Sequence, residues 1–190
     1  MSKFMQVLEA EIPDFDESKV KFLYVNDIAN AYITYNNKHY RVRVEMLVFN
    51  DKGQILVEKK SKPTPAGIMY KIPGGSVEPN KSFISQAIRE VKEEARVNVT
   101  RVKYTGIHYM VKYDANNLPQ WQREKLKDQP IQYNGFISFI YTGLYKDRFS
   151  GKVDEADYDD FYTRAKWYDV NEIPFREEHV NAINTYNTKP

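Results

Sequence analysis

The stretch over residues 74–97 constrains this chain more than any other part of it. It reads GGSVEPNKSFISQAIREVKEEARV, in which two glycines and a Pro-Asn turn precede a strongly periodic segment. The pattern predicts a helix over 82–95 with Asn80 or Ser82 as its N-cap. The apolar residues of this helix recur at helical spacing and form one stripe that we expect to be buried, which consists of Ile84, Ala87, Ile88, Val91 and Ala95.

Three carboxylates lie beside that stripe on the predicted helix. Glu90, Glu93 and Glu94 project from one arc, whereas Arg89 lies on the other flank. Acidic side chains four residues apart repel one another by a few tenths of a kcal/mol, so helix stability alone does not favour this arrangement. A solvated acidic face is the ordinary interpretation of such a run. The preceding glycines favour a site for Mg²⁺, which binds a few carboxylate oxygens and leaves positions for water and phosphate.

These residues resemble a known pattern. Read without gaps, residues 75–97 are similar to the Nudix box, G-x5-E-x7-R-E-U-x-E-E-x-G-U, where U is aliphatic. Residues 72–75 and 77–78 also resemble the usual lead-in to that box. The positions that match the box are Gly75, Arg89, Glu90, Val91, Glu93, Glu94 and Val97.

Some positions depart from the box. Lys81 stands where the pattern has its first glutamate, Arg96 stands where it has its late glycine, and Asn80 replaces a frequent glycine. In the family that first glutamate is an accessory acid near the conserved arginine, so Lys81 weakens catalysis unless Glu78 compensates. Glycine at a helix C-terminus supplies a left-handed residue. Either Arg96 tolerates that conformation at modest cost or Asn98 takes it instead.

The resemblance implies an activity and a set of metal ligands. Nudix enzymes hydrolyse a nucleoside diphosphate linked to another group, X, with water and Mg²⁺ or Mn²⁺. By this resemblance Glu93 and Glu94 are metal ligands, and Glu90 is a metal ligand or the general base for the attacking water. Gly74 or Gly75 lends a backbone carbonyl to the metal.

The resemblance also implies supporting residues. Arg89 orients the glutamates through charge-assisted hydrogen bonds. Many family members use a further acid from a distant loop as the base, and the candidates are Glu124, Asp154, Glu155 and Asp157, of which we favour Glu155. A solvated turn is the alternative interpretation of that loop. Because bunched carboxylates raise one another's pKa values in the absence of metal, we expect activity to rise with pH.

Candidate substrate contacts come from the strands before the helix. Alternation over residues 39–49 predicts a strand with Arg43 and Glu45 on one face. If that face borders the site, Arg43 contacts phosphate; if it does not, Arg43 is an ordinary surface charge. Tyr70 and Lys71 follow a loop rich in proline and are candidates for contact with a base or a phosphate.

The order of elements predicts a mixed α/β domain, and the Nudix resemblance implies an α/β/α sandwich with a mixed central β-sheet. Residues 114–132 are expected to form a functional loop or to contain a short helix. We assign 1–26 to an N-terminal extension, a helix on the domain or a homodimer contact, and 27–190 to the Nudix domain. The predicted strands span 31–35, 39–49, 54–59, 69–72, 102–112, 133–145 and 165–170, and a second helix spans 176–187.

Composition limits the partners. The net charge of +2 is too small to suggest bulk binding of nucleic acid. The chain has no cysteine, which excludes a disulfide framework and a thiolate nucleophile. No apolar run is long enough to cross a bilayer and the N-terminus lacks the plan of a secretion signal, so we expect a soluble, cytoplasmic protein with no membrane partner.

Three functions are compatible with these observations. The first is a metal-dependent pyrophosphohydrolase that acts on a small nucleotide derivative. The second is a binding or regulatory module that keeps the fold and a nucleotide site without turnover, which Lys81 and Arg96 favour. The third is RNA-end processing, which requires a basic stripe that the near-neutral charge does not favour.

Overall fold

The computed structural model describes residues 17–25, 28–59, 70–113, 120, 124, 127, 131–151 and 164–187. The described strands belong to one sheet, and two α-helices pack against it. The helices are α1, Phe83–Ala95, and α2, Glu177–Asn187. The strands in chain order are β1 Lys21–Val25, β2 Ile28–Tyr35, β3 Lys38–Phe49, β4 Ile55–Lys59, β5 Tyr70–Lys71, β6 Gly74–Ser76, β7 Val97–Lys112, β8 Tyr133–Arg148 and β9 Ala165–Tyr168.

β3 is the central strand of the sheet. Along one edge it pairs in turn with β2, β6 and β4, and along the other it pairs with β8 in parallel over 39–49. The other strand pairs are antiparallel. This arrangement confirms the predicted mixed sheet, and it makes β3 the strand that connects the glycines of β6 to the rest of the core.

The two faces of β3 are covered by different helices. Successive side chains of a strand point to opposite faces, so Val42, Val44, Met46 and Val48 pack in one cluster with residues of α1. Leu47 and Phe49 pack on the opposite face with residues of α2. The sheet therefore lies between two helical layers, as the predicted α/β/α sandwich requires.

The helix α1 begins and ends at the predicted residues, but it is rotated relative to the predicted stripe. Ser82 is its N-cap and accepts a hydrogen bond from the backbone N of Ser85 at 3.2 Å. Ile84 is 39% exposed, which corrects the prediction that it is buried. The rotation follows from packing at the start of the helix, where the ring of Phe83 lies 5.1 Å from that of Phe139. The buried residues of α1 are Phe83, Gln86, Ala87, Glu90, Val91, Glu94 and Ala95.

The left-handed residue at the end of α1 is Arg96, with a φ of 55°. Asn80 also has a positive φ, 59°. Asn98 does not have a positive φ, so the alternative that Asn98 takes the left-handed conformation in place of the missing glycine is wrong. The backbone keeps the shape that glycine favours at both positions, at the modest steric cost of a side chain in this conformation.

The N-terminal segment joins the sheet before residue 27. β1 pairs with β2 in an antiparallel hairpin over 21–25 and 28–32. Residues 21–25 are thus continuous with the sheet that we assigned to the domain, although the division at 26 remains a prediction. Residues 1–16 of the predicted extension lie outside the described residues, so the predicted helix or homodimer contact stays a prediction there. Neither helix of the described part of the chain is long and apolar enough to cross a membrane.

Candidate catalytic site

The bend at Gly74 and Gly75 lies between the central strand and α1. β6 pairs with the middle of β3, where Gly74 is opposite Glu45 and Gly75 is opposite Val44. A Cβ at Gly74 would lie 2.9 Å from the Cα of Glu45, and a Cβ at Gly75 would lie 2.5 Å from the carboxylate of Glu90. A side chain at 74 would meet the backbone of β3, and a side chain at 75 would require the Glu90 carboxylate to move, so the two glycines allow β3, the bend and the helix to approach one another.

Glu94 is buried directly beside this bend. Its carboxylate accepts hydrogen bonds from the backbone N of Gly74 at 3.0 Å and from Nζ of Lys71 at 2.8 Å. The Lys71 side chain is only partly exposed, so this pair is shielded more than a surface ion pair. The contacts fix the end of α1 to the strands that carry Lys71 and Gly74.

Glu90 is buried one turn earlier on the same helix. Its Oε1 accepts hydrogen bonds from Nε2 of Gln86 at 2.8 Å and from Nη2 of Arg89 at 3.2 Å. Burial raises the pKa of Glu90 to about 7; the Gln86 hydrogen bond and the Arg89 charge oppose the increase, whereas the charges of Glu94 and Glu93 add to it. Glu90 therefore holds its proton up to near-neutral pH in the absence of a bound cation.

Arg89 connects the acidic residues of the box. Its Nη1 donates to both carboxylate oxygens of Glu93 at 2.9 Å, and its Nη2 lies 2.6 Å from Oε1 of Glu78. The helix wheel assigned Arg89 to the opposite flank, but its long side chain reaches back across α1. The exposed Lys81 occupies the position of the missing first glutamate.

The donor set fits a hard divalent cation, although the side chains do not surround one point. In the described ranges, no three histidine or acidic side chains are arranged as a group that could hold a metal ion. The carboxylates of Glu90, Glu93 and Glu94 are each hydrogen-bonded to a protein donor. Oxygen is nevertheless the ligand atom that Mg²⁺ and Mn²⁺ prefer. The absence of a Cβ at Gly75 also allows the Glu90 carboxylate to lie directly against the bend.

Arg43 borders the bend, whereas Tyr70 is enclosed by protein. Arg43 donates from Nη2 to the carbonyl oxygen of Gly74 at 3.5 Å, so its face of β3 does adjoin the site. The Tyr70 hydroxyl accepts a hydrogen bond from the backbone N of Arg176 at 2.6 Å and lies 3.1 Å from Nδ1 of His179. Contacts of Tyr70, Lys71 and Arg43 with substrate remain predictions.

A buried polar cluster lies behind the bend and was not predicted from the sequence. Oε2 of Glu45 lies 3.0 Å from Nε2 of His179, and the Tyr109 hydroxyl donates to the same carboxylate at 2.9 Å. No local pattern in the sequence indicates this contact, because Glu45 and His179 are 134 positions apart in the chain. The polar position of Glu45 within an apolar strand was the single sequence signal.

Several predicted residues cannot be placed. Asp154, Glu155 and Asp157 lie outside the described residues, as does most of the expected loop over 114–132. Glu124 is described and accepts a hydrogen bond from Nε2 of Gln120 at 2.9 Å. The identity of a general base from a distant loop therefore remains a prediction.

Several solved structures align with most of this chain, and the one with a TM-score of 0.50 shares its fold. A NUDIX hydrolase from Nitrosomonas europaea aligns with a TM-score of 0.50 and 22% identity, over 78% of this chain and 88% of that one. A mutator MutT protein from Bacillus halodurans aligns with a TM-score of 0.49 and 17% identity, over 78% and 82% of the two chains. A MutT NUDIX hydrolase from Burkholderia pseudomallei has a TM-score of 0.47 and 20% identity, over 78% and 98%.

Sequence comparison gives the family directly. A search of curated proteins found no match. The family model of the NUDIX domain matches residues 39–186, which include the central strand, the glycine bend, α1 and nearly all of α2. The chain therefore belongs to the NUDIX domain family, as a hydrolase that acts on phosphoanhydrides.

Proposed function

We propose that this protein hydrolyses the phosphoanhydride bond of a nucleoside diphosphate linked to a second group, with Mg²⁺ or Mn²⁺ as cofactor. The observation that carries the proposal is the convergence of α1 on the glycine bend, which brings Glu90 and Glu94 to Gly75 and Gly74. Two buried carboxylates and a third acid, Glu93, on one helical turn repel one another and lower the stability of the helix. A bound cation removes this repulsion, which is why we assign cation binding to the cluster.

We assign the cation to Glu90, Glu93 and Glu94, with the carbonyl of Gly74 as a further ligand. When bound, such an ion neutralises charge on the phosphate oxygens and lowers the pKa of bound water. Arg89 restrains the orientation of Glu90 and Glu93 through its hydrogen bonds. Glu90 is either a ligand of the cation or the general base that accepts the proton of the attacking water.

Glu78 supports turnover despite Lys81. The family pattern implies an acid near the conserved arginine, and here the carboxylate of Glu78 lies 2.6 Å from Arg89. We therefore assign to Glu78 the accessory role that Lys81 cannot fill. The alternative, a nucleotide-binding module without turnover, is favoured by the Lys71 ammonium that already neutralises Glu94.

The partners follow from the same proposal. The substrate is a small nucleotide derivative, and neither nucleic acid nor a membrane is required. A cytoplasmic location is proposed because the chain contains no cysteine. A homodimer contact through residues 1–26 also stays a proposal.

Substitution of Glu94 tests the activity. Release of phosphate or nucleotide is measured for a panel of nucleoside diphosphate derivatives with Mg²⁺ and with Mn²⁺. We expect the wild type to turn over at least one substrate and Glu94→Gln to lose about a hundredfold or more in kcat, because the variant removes a charged ligand. Glu177→Gln is the matched control, since Glu177 is exposed on α2 and distant in sequence from the box.

Two results would contradict the hydrolase. Binding of nucleotides without turnover on the whole panel supports the module instead. A kcat for Glu94→Gln equal to that of Glu177→Gln would show that the acidic turn of α1 takes no part in the reaction.

A further inference from the structure

A second pair of charges lies on the sheet beside the catalytic bend. Arg41 and Arg43 are two residues apart on β3, so their side chains leave the strand on the same face, about 7 Å apart along it. This is the face that carries Glu45 and, further along the strand, the residues that pack on α2. Both arginines are partly buried.

Each guanidinium is held against an aromatic ring. The Cζ of Arg43 lies 5.4 Å from the centre of the Phe136 ring, and that of Arg41 lies 5.8 Å from the centre of the Tyr133 ring. Arg41 also donates from Nη2 to Oδ1 of Asn30 at 3.2 Å. These contacts orient both arginines without neutralising their charge.

In the part of the chain that the structure describes, neither arginine forms an ion pair with a carboxylate. Glu45 is the acid on the same strand face, and its charge acts on Arg43. Its carboxylate oxygens, however, are already hydrogen-bonded to Tyr109 and His179. Two oriented, partly desolvated guanidiniums that lack a carboxylate partner among the described residues are suited to bind an anionic ligand.

Neighbouring hydroxyls add to this polarity. The Oγ of Ser138, the residue that pairs with Arg43 on β8, is buried and has no hydrogen-bond partner among the described residues. The same holds for the hydroxyl of Tyr133, whose ring lies under Arg41. Buried polar atoms without a partner are uncommon in folded proteins.

We propose that Arg41 and Arg43 form an anion subsite that binds a phosphate of the substrate beyond the bond that is cleaved. This inference rests on the proposed function, because the subsite is defined relative to the glycine bend. Arg43 is the inner residue, since it reaches the carbonyl of Gly74, and Arg41 binds the next anionic group outward along β3. The substrate class is thus a nucleotide with more than two consecutive phosphates, in preference to a diphosphate joined to a neutral group.

A nucleobase fits this surface less well than phosphate. Stacking requires an accessible aromatic face, whereas the rings of Tyr133 and Phe136 are 3% and 8% exposed and lie under the guanidiniums. The accessible groups are the N–H donors of the arginines, which match phosphate oxygens in charge and geometry.

Binding in the absence of metal tests the subsite independently of catalysis. Diadenosine diphosphate and diadenosine tetraphosphate have the same ends and differ in the number of phosphates. Their dissociation constants are measured by calorimetry with EDTA for the wild type, Arg41→Gln, Arg41→Lys and Arg101→Gln. Arg101 is an exposed arginine on β7 and controls for the loss of one positive charge.

We expect the wild type to bind the tetraphosphate at least tenfold more tightly than the diphosphate. Arg41→Gln should lose about tenfold to a hundredfold in affinity for the tetraphosphate, the range for a hydrogen bond to a charged group, and less than about threefold for the diphosphate. Arg41→Lys, which keeps the charge, should recover part of the loss. Arg101→Gln should change both constants less than about threefold.

The results separate the subsite from the hydrolase. Equal affinity of the wild type for both ligands, or an equal loss for both in Arg41→Gln, would overturn the subsite. If Arg41→Gln does not fold, an unchanged ratio of the two constants in Arg41→Lys would overturn it as well. Hydrolysis of the two ligands is also measured with Mg²⁺ or Mn²⁺ added. If Arg41→Gln has the same ratio of kcat/KM values for tetraphosphate and diphosphate as the wild type, the subsite is overturned and the hydrolase is not. The expected binding pattern without any turnover supports the subsite and overturns the hydrolase.

Discussion

The position of the Glu90 carboxylate depends on the absence of a side chain at Gly75. The position of Gly75 in β6 places any Cβ against the Glu90 carboxylate, 2.5 Å from its Oε1. The glycine at 75 and the glutamate at 90 are thus sterically linked in this chain, because a side chain at 75 would require the buried carboxylate of Glu90 to move.

Gly75→Ala should displace Glu90. We expect a loss of about 1–3 kcal/mol in the free energy of unfolding from overpacking. We also expect a fall of about a hundredfold in kcat, because the carboxylate that we propose as a metal ligand or general base is moved. Urea denaturation and steady-state kinetics measure the two effects. Gly53→Ala is the control, since Gly53 has a φ of 74° but open space around its Cβ position. It should lose about 1 kcal/mol from backbone strain and keep its kcat; an unchanged kcat in Gly75→Ala would contradict the steric argument.

The protonation of Glu90 should make metal-free stability depend on pH. The pKa of Glu90 is about 7 in the folded protein, against an ordinary value of 4.5 for a glutamate. The folded state therefore binds more protons between these values, and the free energy of unfolding falls as pH rises from about 4.5 to above 7, by at most about 3 kcal/mol. Glu90→Gln mimics the protonated acid. In EDTA we expect its melting temperature to match the wild type at pH 5 and to exceed it at pH 8.5.

The reverse order would refute this description of Glu90. A wild type more stable than Glu90→Gln at pH 8.5, without metal, would mean that the ionised carboxylate is stabilised in the folded state. Glu177→Gln should follow the wild type across the whole range, because Glu177 is exposed.

At the scale of elements, α2 is joined to the central strand by a buried polar contact. His179 is in the first turns of α2 and contacts Glu45 on β3, which itself pairs with Gly74. The ring of Tyr186 stacks on Phe49 near the other end of the helix, with centroids 4.2 Å apart. The helix thus packs on one face of the sheet at two points, and one of them adjoins the glycine bend.

Glu45→Gln should lower stability above pH 4.5. Burial alone raises the pKa of Glu45, but the hydrogen bond and charge of His179, with Arg43 and Tyr109, lower it to about 2. A lowered pKa adds stability above the unfolded value of 4.5 and loses it as pH falls towards 2, by about 3 kcal/mol. Urea titrations from pH 2.5 to 7 should give a difference between wild type and variant that grows with pH to about this size. A difference independent of pH would show that the charge of Glu45 contributes nothing.

In the whole molecule, the acidic helix α1 and the pair Arg41 and Arg43 lie on two sides of the glycine bend. α1 covers one face of the sheet and supplies the carboxylates, whereas Arg41 and Arg43 lie on the other face of β3. The strand β6 lies next to the middle of β3 and contacts both groups through Gly74. Cation and phosphate are therefore expected to meet at this bend.

Addition of Mg²⁺ or Mn²⁺ should stabilise the whole domain. A ligand at a hundred times its dissociation constant adds about 2.7 kcal/mol, which raises the melting temperature of a chain of this length by about 5–10 °C. The increase should be larger at pH 8 than at pH 6, because Glu90 must lose its proton to bind the cation. Thermal melts with metal and with EDTA measure it. Glu94→Gln should lose most of the increase and Glu177→Gln should keep it; equal increases in both would place the cation elsewhere.

Local signals in the sequence were sufficient for α1, β3 and the position of the acidic turn, whereas the strands β1 and β6 were not predicted. The helical period over 82–95 predicted α1 and its N-cap Ser82, and the alternation over 39–49 predicted β3. Both signals depend on residues within one element, where hydrogen bonding imposes the period. The fixed spacing from Gly75 to Val97 likewise indicated the family, which the family model confirms.

Contacts between elements were decided by the tertiary structure. The rotation of α1 that exposes Ile84, the pairing of Lys71 with Glu94 and the contact of Glu45 with His179 each join residues whose separation along the chain has no period. The sequence by itself determined the position of the acidic turn and of the glycines before it, because spacing within a helix or strand is set by the backbone. Only the packing of helix against sheet decided which charges are neutralised inside the protein and which remain for a ligand, because burial and distance depend on the whole fold.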